Sequence, residues 1–271
     1  MTHPTFRFGP ALLFCPADRP DRFAKALDRA DAVILDLEDA VAADAKHAAR
    51  LALLRTPLDP ERVIVRVNPA SSPEFGEDLA ALAGTGYRTV MLAKCEGTAD
   101  LVDLAEFEVI ALCETARGVI AANEIAALPN VSALMWGAED LVASLGGSSS
   151  RFPDGRYRDV ARHARSQVCL AAAAHDVAAI DTVHLEIGDL DGLRAEAEDA
   201  VAVGFAATAC IHPGQVEVVR EAYLPDAEQL EWARAVLEAA EEQGGVFAFR
   251  GGMVDAPVLR QAVALIRRAR G

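Results

Sequence analysis

Three lysines are all this chain has, against twenty-three arginines. Basic residues together are outnumbered: 26 Lys and Arg face 41 Asp and Glu, a net charge of −15. A field that acidic argues against general affinity for nucleic acid or anionic membranes, and an anionic ligand would need a local basic patch. No apolar run approaches the roughly 18 residues of a membrane span. The opening MTHPTFRFGP lacks the apolar segment of a secretory leader. Cysteine is sparse: Cys15, Cys95, Cys113, Cys169 and Cys210 are odd in number and form no CxxC pair. That spacing speaks against a disulfide framework or a thiolate cluster, and for reduced thiols, mostly packed in strands, in a cytoplasmic protein. There is no internal repeat, and no low-complexity tract beyond an alanine bias.

What the chain does have is a core. Its 271 residues are 52% apolar and 25% charged, ordinary for a soluble globular protein and suited to one large α/β domain. Short apolar runs recur between turn signals: 11–16, 32–38, 63–68, 89–94, 109–114, 132–137, 178–184 and 208–213. A continuous apolar run with polar residues only at its end reads as a strand buried on both faces. Alanine-rich amphipathic stretches such as PDRFAKALDRA, EFGEDLAALAG, TADLVDLAEF and LRAEAEDAVAVG separate the runs. Strands alternating with helix-length segments imply parallel βαβ units. Eight of them match a (β/α)8 TIM barrel at its usual size of about 250 residues, with a doubly wound open sheet as the alternative. The barrel core is placed at 1–224. A C-terminal helical extension or lid, 225–271, would pack on the barrel or on a neighbouring subunit. LGGSSSRFPDG (145–155) reads as an extended loop before a helix near 157–175. AEQLEWARAVLEAAEEQ is a helix and GGVFAFRGG a turn or hairpin. The last helix has Asp255 placed to cap it and Pro257 in its first turn.

Parallel barrels present chemistry at the C-terminal ends of their strands. Glu114 and Asp140 end neighbouring strands, where two carboxylates repel unless a proton or cation sits between them. Hard oxygen ligands without nearby cysteine or paired histidine favour Mg²⁺; the alternative is two acids capping helices. Thr115 can cap the helix after Glu114. Arg66, flanked by valines, needs an anion at the barrel mouth, either a ligand or an acid of the DLED run. Lys94 is in a similar position. Arg19, Arg22 and Lys25 could form a phosphate patch, or simply a solvated helix face among Asp18, Asp21 and Asp28. Asp36, Glu38 and Asp39 are a dense acidic cluster, some of which would hold Arg66 and metal-bound waters from behind. His212 could be a base, although a hydrogen-bonded core histidine fits better. The GGSSS run lacks the lysine and strand context of a phosphate-binding loop.

The ordered set LFCPADRPDRFAKA, VILDLEDAV followed by a lysine, VRVN, VMLAKCE, ALCETARGV, MWGAEDL, the GGSSSR loop, CIHPGQ and GGMVDAPVL resembles the citrate lyase beta-subunit-like branch of the HpcH/HpaI aldolase and citrate lyase superfamily. The resemblance covers about residues 10 to 268 and is closest to the stand-alone bacterial members. It implies a barrel that assembles as a homotrimer, Mg²⁺ on Glu114 and Asp140, and Arg66 on a carboxylate or thioester oxygen. It further implies action on coenzyme A thioesters of hydroxy acids, with Arg19 and Lys25 at the coenzyme; Lys94, from its strand-end position, is a further candidate for binding substrate or coenzyme. Glu38 and Asp39 would stand behind the metal. Asp255 would reach the active site of an adjacent subunit, as a candidate acid–base group. The catalytic histidine that pyruvate-type aldolases carry after strand two is missing from DLEDAV, which favours the thioester branch. The expected reaction cleaves citramalyl-, malyl-, citryl- or hydroxymethylglutaryl-CoA to an acyl-CoA and an oxo acid. The alternatives are a citrate lyase beta subunit acting on an acyl-carrier-protein thioester and a phosphoenolpyruvate-type barrel enzyme.

Overall fold

A computed structural model describes residues 6–269. Residues 1–5 of the stretch read as lacking a leader, and Arg270 of the last helix, lie outside the described residues. Eight parallel strands, β1 (Ala11–Pro16), β2 (Ala32–Asp36), β3 (Val63–Val67), β4 (Thr89–Leu92), β5 (Glu108–Cys113), β6 (Val131–Trp136), β7 (Ala178–Asp181) and β8 (Ala207–Cys210), close in sequence order into a barrel. The closing pair, β1 with β8, excludes the open doubly wound sheet. Alternate residues fill the barrel interior: Leu12, Ile34, Ile64, Met91, Ile110, Leu112, Met135 and Ile180 form one buried cluster, which Phe8 joins. The residues between them, such as Leu13, Val33, Val65, Val90 and Leu134, are equally buried. A parallel barrel buries both faces of each strand, so the sequence shows runs rather than alternation.

The strands end earlier than their apolar runs because side chains take over the backbone donors. Asp36 accepts from the amides of Glu38 (2.9 Å) and Ala40 (3.3 Å). Gln215 Oε1 accepts from those of Ile211 (2.9 Å) and His212 (3.2 Å). Such local bonds compete with the sheet ladder and turn the chain at the rim. TADLVDLAEF does not form an α-helix. Thr98–Leu104 is a 3-10 helix with Leu101 and Leu104 buried, and that i,i+3 pair lines up on a three-residue turn.

Among the described residues, those up to Val219 form one compact unit and those from Arg220 a second. In the second, the helices Ala227–Gln243 and Ala256–Arg268 and the antiparallel hairpin of β9 (Phe247–Phe249) and β10 (Gly252–Val254) share a core of Ala233, Val236, Phe247, Val254 and Ala262. Asp255 caps the last helix, its Oδ1 accepting from the Val258 amide at 3.3 Å. No helix of the described residues is long and apolar enough to cross a membrane.

One buried charge pair stands out in the barrel unit. Asp78, fully buried, accepts from Arg50 Nε (2.7 Å) and from both the amide (2.9 Å) and Nδ2 (2.6 Å) of Asn68. Removing one partner of a buried pair leaves an uncompensated charge. Asp78→Ala should therefore cost about 3–5 kcal/mol of stability in urea denaturation; a loss below about 1 kcal/mol would show that water or a neighbour replaces the carboxylate.

Candidate functional site

The C-terminal mouth of the barrel encloses a cavity of about 240 Å³, lined among others by Phe14, Asp36, Arg66, Glu114, Asp140, Arg151 and Tyr157. Glu114 follows β5 directly. Thr115 Oγ1 then accepts from the Gly118 amide at 3.1 Å and starts the helix Ala116–Ala126. The chain turns there without a linker because Gly118 lies against the neighbouring backbone: a Cβ on it would stand 2.3 Å from the Cys95 carbonyl oxygen. Asp140 does not sit at the strand end itself. It lies in the first turn of the short helix Ala138–Ser144, one turn beyond β6. The β5–β6 register pairs Cys113 with Trp136, which puts both acids over the same edge of the mouth.

Glu114 is 3% exposed, while the Asp140 side chain is 34% exposed. Burial first, and the Asp140 carboxylate second, push the Glu114 carboxyl up to about 8, against the opposing pull of Arg66 and Lys94. Neutrality of a buried acid beside another acid is the expected response when no cation is present. Arg66 meets the DLED acids: its Nε and Nη2 hold Asp36 at 2.7 and 2.6 Å, and its Nη1 lies 3.1 Å from Glu38 Oε2. A guanidinium has five N–H donors. Three are engaged by these acids, and two remain for another acceptor.

Lys94 ties the cluster together. Its amide donates to Glu114 Oε1 (3.1 Å), and its ammonium donates to Glu38 and to Asp39 (3.1 Å) and lies 3.3 Å from Asp140 Oδ1. Its φ of +49° is in the left-handed region, a conformation that costs a side-chain-bearing residue about 1–3 kcal/mol and tends to persist where surroundings hold it. Both ends of this lysine are held by acids of the mouth. Glu38 is buried and Asp39 is exposed, so the ammonium bridges a shielded acid and a solvated one.

Other expected positions fall elsewhere. Arg19 is exposed and pairs with Asp21 at 3.2 Å; Lys25 is exposed on the helix Phe23–Arg29. Neither lines the cavity. His212 is not a core histidine: it is exposed, and its Nδ1 accepts from the Gly214 amide (3.1 Å), capping a short turn. The serine loop supplies no anion cradle. Ser150 Oγ instead donates to Glu139 Oε1 at 2.5 Å. Sequence reasoning missed Lys46, whose ammonium donates to Leu37 O (2.7 Å), Glu38 O (3.1 Å) and Asn68 Oδ1 (2.8 Å). The isolated lysine after the acidic run was the only signal available for it. It also missed Arg151 and Tyr157, which reach the cavity from the loop after the helix Ala138–Ser144.

Glu114 and Asp140 fit a hard divalent cation. They offer carboxylate oxygens only, and burial first and the neighbouring acid second disfavour the charged form of Glu114. Among the described residues no group of three or more His, Cys, Asp or Glu could hold a metal. Two carboxylates with the remaining positions left to water or substrate suit Mg²⁺, which dehydrates reluctantly.

Comparison with known proteins agrees with this geometry. Residues 11–213 match the model of the HpcH/HpaI aldolase/citrate lyase family, and residues 159–270 that of a C-C bond lyase of the TIM-barrel fold. A citrate lyase subunit beta-like protein of Mycobacterium tuberculosis is 59% identical over 261 residues, 96% of either chain. The mitochondrial citramalyl-CoA lyase of Homo sapiens is 31% identical over 286 residues, 93% of this chain and 83% of that one. A crystal structure of CitE from Mycobacterium tuberculosis in complex with magnesium, acetoacetate and coenzyme A matches with a TM-score of 0.94 and 59% identity, covering 97% of this chain and 98% of that one.

Gly137 gives the site a sharp test. Its backbone is unstrained, but a Cβ there would lie 2.6 Å from Glu114 Oε2 and 2.9 Å from Glu114 Cβ. Gly76, inside the helix Phe75–Ala83, has nothing within 4 Å. Gly137→Ala should destabilise the protein by about 1–3 kcal/mol, and Gly76→Ala should stabilise it by about 0.5–1 kcal/mol. Chemical denaturation of the pair checks the sign; equal effects would mean that Glu114 is not packed against Gly137.

Proposed function

The chain belongs to the HpcH/HpaI aldolase/citrate lyase family, and we propose that it is the magnesium-dependent lyase of a β-hydroxyacyl-CoA thioester, giving an acyl-CoA such as acetyl-CoA and a 2-oxo acid. Its general class, a carbon–carbon lyase, follows from the family; the thioester substrate and the roles below are our reading. The observation that carries it is a buried carboxyl, Glu114, raised to about 8 beside a second acid in a small cavity that also holds Arg66. The relative crystallised with magnesium, acetoacetate and coenzyme A supports the same ligand set here.

The reaction must remove a proton from the substrate hydroxyl, break the bond between that carbon and the thioester α-carbon, and leave the electron pair on the α-carbon as an enolate until it is protonated. Mg²⁺ held by Glu114 and Asp140 would supply a Lewis acid and a template for the hydroxyl and carboxylate oxygens. Arg66 would direct its two remaining N–H groups at the enolate or carboxylate oxygen, while Asp36 and Glu38 fix its plane. Lys94 would hold Asp140, Glu38 and Asp39 in place and present a positive charge to the substrate. We assign the coenzyme phosphates to Arg19 and Lys25, outside the cavity. We assign to Asp255 of a neighbouring copy in a homotrimer the acid–base role, taking the hydroxyl proton and returning a proton to the α-carbon.

A screen of citramalyl-, malyl-, citryl- and hydroxymethylglutaryl-CoA, with and without Mg²⁺, should release an oxo acid only with the metal: a 2-oxo acid from the first three thioesters, acetoacetate from the last. Release in full chelator would overturn the magnesium assignment, and free coenzyme thiol without oxo acid would overturn the lyase reading. Carrier-protein binding with no turnover alone would point instead to a subunit of a larger lyase. Glu114→Ala and Asp140→Ala should each lower kcat by about 10³-fold or more while the circular dichroism spectrum holds. Arg66→Lys should lower it by about 10²–10³-fold, because an ammonium cannot span two acceptors in one plane. A near-normal rate in any of these variants removes that residue from the mechanism.

A further inference from the structure

The loop after the short helix Ala138–Ser144 is a built hairpin. Arg151 and Tyr157 form an antiparallel bridge, the Phe152 amide donates to Arg156 O (2.8 Å), and Gly155, at φ +83°, closes the turn by donating to Phe152 O (3.0 Å). Two anchors pin it: Ser150 Oγ on Glu139, and the Arg151 fork on Glu196, with Nη1 at 2.5 Å and Nη2 at 3.2 Å. The Arg151 Nη1 also donates to Gly155 O at 2.8 Å. Three of this arginine's five N–H groups serve Glu196 and the hairpin itself rather than a ligand.

What it does instead is fix a ring. The Arg151 Cζ lies 3.7 Å from the Tyr157 ring centroid, and Trp136 meets the same ring edge-on at 5.3 Å and 69°. Trp136 is itself held by Nε1 donating to Asp181 Oδ1 at 2.5 Å. Stacking of a guanidinium on a ring and a T-shaped aromatic contact are both favourable arrangements of the ring quadrupole. The ring is held on two sides, yet its hydroxyl makes no hydrogen bond among the described residues, and Tyr157 lines the cavity with Glu114 and Asp140. Burial pushes the phenol's proton affinity well above its ordinary value, so at neutral pH the group is a donor. A half-buried phenol normally finds a partner. At about 240 Å³ the cavity falls below the roughly 300–1,000 Å³ of drug-sized sites. It suits a small acid, not a coenzyme.

We propose that the Tyr157 hydroxyl is a specificity-determining donor to an oxygen of the 2-oxo acid half of the substrate, and that Arg151 is its positioning residue. The proposal rests on the lyase reading for the identity of the small acid, but its binding test does not need turnover. The chain has two tryptophans, Trp136 and Trp232. In full-length protein carrying Trp232→Phe, Trp136 emission should report pyruvate or oxaloacetate titrated with MgCl₂. Tyr157→Phe should weaken that binding by roughly 10- to 100-fold, with the same loss in kcat/KM for cleavage and an unchanged KM for acetyl-CoA in the condensation direction. Arg151→Met should shift the emission of the ligand-free protein and weaken oxo-acid binding; Arg151→Lys should not restore it, because it keeps a charge for Glu196 but loses the stacking plane. Unaltered oxo-acid affinity in Tyr157→Phe, equal losses for acetyl-CoA, or no oxo-acid binding by the parent protein overturns the assignment. Tyr157-dependent oxo-acid binding without turnover of any thioester would leave the subsite standing and remove the lyase reading alone.

Discussion

Two carboxylates over one edge of the barrel mouth cannot both stay charged without a counterion, and the polar organisation of the mouth is arranged around that conflict. Glu114 is locked into the barrel by its place directly after β5, by the Lys94 amide and by the close approach of Gly137. It cannot turn away from Asp140. The nearby cations reduce the repulsion without removing it: Arg66 is shared between Asp36 and Glu38, and Lys94 is divided among Glu38, Asp39 and Asp140. Each already serves acids of its own, so the Glu114 carboxyl remains raised. A small divalent cation answers the conflict with a charge density that shared ammonium and guanidinium groups lack.

Behind the mouth runs a second polar line, none of whose side chains lines the cavity. Lys46 holds the backbone of Leu37 and Glu38 and the side chain of Asn68; Asn68 meets Asp78, and Asp78 meets Arg50, which reaches Glu74. This chain crosses from the turn after β2 to the turn after β3 and sets the backbone from which Glu38 and Arg66 project. Buried networks of this kind rigidify when every member is satisfied. Here the lysine uses three donors on three acceptors.

Much of this was legible in the chain before the coordinates. The eight apolar runs located every barrel strand because a parallel barrel writes two-sided burial as continuous hydrophobicity. Thr115 and Asp255 were readable as caps because a polar residue ahead of a helical pattern has a defined partner one turn on. Strand ends were less legible: Asp36 and Gln215 capture backbone donors from outside the ladder, and periodicity is blind to that. Lys46, Arg151 and Tyr157 were missed for a related reason. Lys46 and Arg151 depend on Asn68 and Glu196, 22 and 45 residues away, and Tyr157 packs on Trp136 from a separate element, which no local pattern encodes. His212 misled because an apolar neighbourhood in sequence does not guarantee an inward-facing ring.

The floor of the barrel has a consequence of its own. Phe8, Leu12, Ile34, Ile64, Met91 and Ile110 belong to one close-packed apolar plug beneath the acids, and apolar interiors of that kind stay dry. Among the described residues the plug is built of apolar side chains and offers no exchangeable group along this path. Hydrogen ions shed or taken up during turnover must therefore pass through the same rim that admits reactants, so the traffic of protons and of carbon compounds is coupled by geometry.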